Sequence, residues 1–119
     1  MSSIYDRLGG HDTLHRLVTD HYRRLFTDPL LADYFSAANP NRLVEAQVRF
    51  LGQALGGPEV YAGEPLRAAH AGLSITRADF ERVAAHLADA LHAAGIPAAT
   101  AGEVLDALAP LSGEIVETD

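Results

Sequence analysis

The chain has 119 residues, enough for one packed core and too few for two independent ones. Hydrophobic residues make up 48% and charged residues 21%, the balance of an ordinary globular protein, which excludes a disordered chain. Nine basic residues against sixteen acidic ones leave a net charge of −7, which argues against a nucleic-acid footprint, and the absence of cysteine removes disulfides, thiolate metal sites and cysteine nucleophiles.

No apolar run approaches the roughly 20 residues of a bilayer span. The opening stretch from Met1 to Asp6 lacks the basic-then-apolar layout of a secretory signal. We therefore expect a cytoplasmic protein with no membrane or nucleic-acid partner, folded as one domain over residues 1–119.

Glycine and proline divide the chain into helical lengths. A short turn around Ile4 to Leu8 ends at Gly9-Gly10, where two glycines permit a sharp reversal. Asp12 is placed to cap a helix running to about Phe26, with Leu14, Leu17, Val18, Tyr22 and Leu25 on its apolar face. Asp28-Pro29 stops it, and Leu30 to Phe35 reads as a short helical bridge. Asn39-Pro40 is a capping residue followed by proline at the first helical position. The helix it opens, from about Pro40 to Leu55, carries Leu43, Gln47, Phe50, Leu51 and Ala54 on one stripe, and Gly56-Gly57-Pro58 terminates it.

Residues Glu59 to Glu64 read as loop. Pro65 then opens a short helix from Leu66 to about Ala71, ended by Gly72. Thr76 caps an amphipathic helix reaching Ala94, with Phe80, Val83, Ala84, Leu87 and Leu91 inward and Gly95 as its stop. The last helix spans about Pro97 to Val116 and should bend at Pro110. β-branched clusters alternating with period two are absent, so the expected class is all-α.

Three polar residues fall where periodicity predicts the interior. Tyr22 shares a face with Val18, Leu25 and Phe26; Gln47 interrupts an apolar stripe; His70 lies one turn after Leu66. A buried glutamine or tyrosine needs hydrogen-bond partners, and each empty valence costs about 1–3 kcal/mol. A backbone carbonyl or bound water meets that need in most cores, and a lone histidine on a half-apolar face is usually structural. The remaining histidines read as bland. His11 and His15, four apart, lack a third ligand, His86 and His92 fall on different faces, and His21 diverges from Tyr22 by about 100°. Signatures of di-iron bundles, zinc proteases, serine hydrolases and nucleotide-binding loops are missing.

Several stretches in order resemble the group I truncated haemoglobins. They are Ile4-Tyr5-Asp6-Arg7-Leu8-Gly9-Gly10, Ala54-Leu55-Gly56-Gly57-Pro58 followed by Tyr61, Leu66 to His70 with Gly72 and Ile75-Thr76, and His86-Leu87-Ala88-Asp89-Ala90-Leu91. The resemblance implies a shortened globin fold, a two-over-two helical sandwich around haem b. It implies His70 as the iron ligand, Tyr22 and Gln47 on the distal side, and Phe35, Leu43, Phe50, Leu51, Leu66, Ile75 and Phe80 around the cofactor. Arg42, Arg67 and Arg77 are the candidate partners for its propionates.

The implied function is reversible dioxygen binding at a five-coordinate iron, with nitric oxide and carbon monoxide as further ligands. Storage or transport of oxygen belongs to that reading. Nitric oxide dioxygenation with an external reductase is a second implied activity. Leu51 stands where the best-known nitric-oxide-consuming members carry a gating phenylalanine, and Ala84, Ala85 and Ala88 are small enough to leave a tunnel. A monomer or weak dimer is expected. Two other readings stay open at this point: a gas-sensing or redox haem protein, and a haem-free helical interaction module in which Tyr22 and Gln47 satisfy one another.

Overall fold

Ser3 opens the first helix by a reciprocal cap: its hydroxyl accepts the Asp6 N–H at 3.1 Å while its own N–H reaches the Asp6 carboxylate. Helix α1 (Ile4–Leu8) ends at Gly9, whose φ of 121° lies where side chains are disfavoured. A Cβ there would also meet the Thr13 hydroxyl at 2.5 Å. The computed structural model describes residues 2–63 and 65–117, so Glu64 of the expected loop lies outside the described residues.

Helix α2 (Gly10–Phe26) starts directly after Gly9 with no side-chain cap. Asp12, expected at that cap, lies instead in the first turn, where its carboxylate still faces the positive end of the helix. The reason is the glycine pair, which reverses the backbone three residues before the expected side-chain cap. The expected bridge condenses to a 3-10 turn (Ala32–Phe35). Helix α3 (Pro40–Ala54) is capped as expected, the Asn39 side chain accepting from the Asn41 and Arg42 N–H groups. Helix α4 (Leu66–His70) is a single short turn or so, and α5 (Arg77–Ala93) is capped by Thr76, which accepts the Asp79 N–H at 3.0 Å.

The last predicted helix is not bent but broken. Helix α6 (Ala98–Leu108) gives way to a 3-10 turn (Ala109–Leu111) and then to α7 (Ser112–Ile115). Pro110 has no N–H and crowds the preceding turn, and the chain resolves this by tightening rather than curving. No strand forms among the described residues.

Helix α2 packs most extensively on α3 and next on α5, which packs on α6. The core they share holds Leu14, Leu25, Leu31 and Leu91 at 1% exposure or less, with Leu17, Val18, Val48, Leu55, Leu87 and Val104 around them. Two buried polar devices lock these layers. Asp28, 5% exposed, takes hydrogen bonds from Arg82 Nε and, at 2.7 Å, from His86 Nε2, which ties the end of α2 to α5. Those two donors hold its carboxyl well below the usual carboxylate range against the opposing effect of burial, with help from the Leu30 N–H.

His21 is the second device, a structural histidine in keeping with the expectation that it carries no chemistry. It is 8% exposed, and its Nε2–H donates to the Val83 carbonyl at 3.0 Å. Burial keeps its pKa below the ordinary 6.5, with His86 and Arg24 acting in the same sense and the Val83 bond and Asp20 opposing. An unfolded His21 therefore binds a proton near pH 6.5 while the folded one resists it, so stability is full above that pH and is lost as pH falls. We expect the urea midpoint to drop between pH 7.5 and pH 5 and that slope to flatten in His21→Leu, whose cost at neutral pH is about 1 kcal/mol for the lost hydrogen bond, since the Val83 carbonyl keeps its partner within α5. Parallel slopes in the two proteins would clear His21 of this role.

Candidate functional site

Tyr22 sits on the face of α2 that carries Val18 and Leu25, and it is 9% exposed. Its ring lies 5.9 Å from Phe35, edge-on at 83°, and 5.8 Å from Phe26; Phe26 and Phe35 are themselves edge-on at 5.2 Å. The 3-10 turn after α2 thus brings Phe35 back onto the helix it follows, and three rings form one wall. Among the described residues nothing hydrogen-bonds the Tyr22 hydroxyl. Burial alone pushes its pKa well above 10, so the phenol keeps its proton at any working pH.

Helix α3 presents Leu43, Gln47 and Phe50, all half-buried, along one stripe. No hydrogen bond joins Gln47 to Tyr22 among the described residues, so the two do not satisfy each other. Phe50 is edge-on to Tyr61 at 5.4 Å, which pins the loop after α3 to the helix. Leu51, expected beside the cofactor, is 7% exposed and belongs to the main core cluster.

His70 is the last residue of α4 and is half-buried. Ile75, 9% exposed, follows on the short link to α5, whose Phe80 is half-buried. The Leu66 side chain lies outside the described residues. Helix α4 packs on α7, and no extensive contact joins it to α2 or α3 among the described residues. The polar pair and the histidine are therefore carried on elements that stand apart. Of the three candidate arginines, Arg42 is exposed, Arg67 is exposed with Nη2 donating to the Gly113 carbonyl at 3.2 Å, and Arg77 is exposed beside the Thr76 cap.

Sequence reasoning missed Glu59. Its side chain is 10% exposed, and Oε1 accepts the Tyr5 hydroxyl at 2.6 Å and His11 Nδ1–H at 3.2 Å. Oε2 is buried with no partner among the described residues. A Cβ at Gly52 or Gly57 would meet Oε2 at 2.3 or 2.6 Å, so both glycines make room for this carboxylate. Burial raises the Glu59 carboxyl, but the bonds from Tyr5, its own N–H and His11 outweigh it and leave it below the usual value; the same contact pushes Tyr5 up to about 12. The only signal in the sequence was the pair of small residues, which says that something approaches closely and not what. No group of three metal-ligating side chains gathers among the described residues, here or at His11 and His15.

The bacterial-like globin family model matches residues 3–117. The group 1 truncated hemoglobin GlbN of Mycolicibacterium paratuberculosis is 49% identical over 114 residues, spanning 96% of this chain and 84% of that one. The chain belongs to the group 1 truncated haemoglobins of this family. Solved structures agree on the fold. Truncated hemoglobin from Tetrahymena pyriformis in its Fe(III) form has a TM-score of 0.93 at 24% identity, covering 97% of this chain and 98% of its own. The hemoglobin of Chloroflexus aurantiacus reaches 0.86 at 30% identity, covering 98% and 99%.

This truncated haemoglobin is accordingly a gas-binding haem globin on the two-over-two fold, and the haem-free module is set aside. Its own residues fit the cofactor. An unpartnered phenol in apolar surroundings is the feature a core avoids unless a polar guest enters. A half-buried imidazole at the end of α4 suits iron.

Proposed function

We propose that this truncated haemoglobin binds dioxygen reversibly, with His70 as the protein ligand of iron and Tyr22 and Gln47 as the polar groups on the opposite side. The single observation that carries the reading is Tyr22, a phenol on the buried face of α2 that keeps its proton and whose hydroxyl no described residue engages. Haem held by His70 would supply an iron able to take up a small gas reversibly. The chain supplies everything else. His70 offers a ring nitrogen from the end of α4. Tyr22 donates an O–H whose direction is set by the rings of Phe26 and Phe35. Gln47 offers an amide N–H₂ from the neighbouring helix, and Leu43, one turn earlier, has no donor and excludes water.

A second histidine ligand is disfavoured. His21 is committed to the Val83 carbonyl and His86 to Asp28, and α3 contains no histidine. The five-coordinate site that results also supports nitric oxide dioxygenation: nitric oxide, dioxygen and one electron give nitrate, the electron coming from an external reductant. Leu51, without a ring, offers no aromatic gate on that route. The absence of cysteine is consistent with a reducing compartment such as the cytoplasm.

Absorption spectra of the reduced protein test this reading. A five-coordinate ferrous spectrum, converted by dioxygen and restored under inert gas, is the expected result. A six-coordinate ferrous spectrum without added ligand, or irreversible oxidation on first contact with dioxygen, overturns it.

A further inference from the structure

We infer that Glu117 is a positioning residue for His70, an inference that rests on His70 being the iron ligand. Helix α4 is five residues long, makes no extensive contact with the long helices among the described residues, and ends at His70 itself. Something else must hold its end. The link that leaves it, residues 71–76, has two left-handed positions, Gly72 at φ 83° and Ser74 at φ 56°. Consecutive residues alternating between right- and left-handed backbone turn their N–H groups to one side, a concavity that suits an anion.

Glu117 fills it. Its Oε1 accepts the Ser74 N–H at 2.9 Å, its Oε2 accepts the Gly72 N–H at 3.3 Å, and its own N–H donates to the Ile75 carbonyl at 2.9 Å. Three hydrogen bonds from one residue thus span the link beginning one residue after His70 is passed. Ser74 has a side chain in a region that favours glycine, and such a conformation persists only where its surroundings over-determine it. Helix α7, which ends two residues before Glu117, packs on α4, and the Gly113 carbonyl accepts from the Arg67 guanidinium. The segment after the Pro110 break therefore grips α4 at both ends. The carboxylate is the part that sets the link, and through it the direction in which the His70 ring faces.

Glu117→Ala and Glu117→Gln in the haem-loaded protein test the inference, read by amide hydrogen exchange, by haem transfer to an acceptor globin and by the iron–imidazole stretching band of the reduced form. In Glu117→Ala the Gly72 and Ser74 amides should exchange about tenfold faster, with haem loss accelerated several-fold and the stretching band shifted or broadened. Glu117→Gln, which keeps one acceptor and loses the charge, should fall between the parent and the alanine variant. Unchanged exchange at the two amides overturns the strap. Faster exchange with an unmoved band and unmoved haem loss overturns its link to His70. A parent protein lacking any iron–imidazole band sinks instead the assignment of His70, which keeps the two failures apart.

Discussion

Replacing His70 with glycine should cost this protein its haem affinity by a factor on the order of 100 or more, since even removing an outer partner of a metal ligand costs about 10- to 100-fold. Titration of the apoprotein with haem, followed in the Soret region, measures the loss. Glycine at the end of α4 leaves a void the size of the lost ring, so free imidazole added in excess should recover much of the parent spectrum. That recovery separates loss of a ligand from loss of fold. No described side chain of α4 belongs to the main core cluster, and the substitution removes no residue from that cluster. Thermal unfolding of the haem-free variant is therefore expected to match that of the haem-free parent. A variant that keeps the parent spectrum without imidazole would mean that another side chain holds the iron.

Tyr22→Phe should accelerate dioxygen release by roughly 10- to 150-fold, the equivalent of a hydrogen bond of about 1.5–3 kcal/mol to a group bearing charge. Stopped-flow displacement of dioxygen by carbon monoxide reads the rate. The same substitution should leave stability unchanged or raise it slightly. Phenylalanine preserves the ring contacts with Phe26 and Phe35, and the oxygen removed has no described partner to strand. Opposite signs on function and stability are the signature of a group retained for its chemistry. A lower melting temperature with an unchanged release rate would show that Tyr22 serves the core alone.

Much of this was legible because helical periodicity and capping are local. The stripe of Leu14, Leu17, Val18, Tyr22 and Leu25 marked the buried face of α2 correctly. Asn39-Pro40 and Thr76 marked two helix starts that the structure reproduces at the expected residues. Asp12 failed as a cap because two glycines offered the backbone a turn that needed no side chain. The last helix broke at Pro110 instead of bending because a missing donor fixes where the ladder fails and not how neighbouring turns repair it.

Charged residues that come together across long separations left no such trace. Asp28 reads in the sequence as a helix stop, and only packing of α2 on α5 turns it into an anchor for Arg82 and His86 more than fifty residues away. Glu59 reads as loop, yet Tyr5 and His11 meet it from the other end of the chain. Glu117 looks like a solvated residue near the end of the sequence, and its role follows from the link after α4 turning its N–H groups toward it.

Taken alone, the order of residues determined an all-helical chain, the positions of its breaks, and three polar side chains set into apolar faces, because each depends on neighbours within about a turn or two of helix. Tertiary structure decided which polar groups pair. It gave His21 a carbonyl and Asp28 two hydrogen-bond donors, and it left the Tyr22 hydroxyl with no described partner, since a side chain's partners come from wherever the fold brings other segments alongside it.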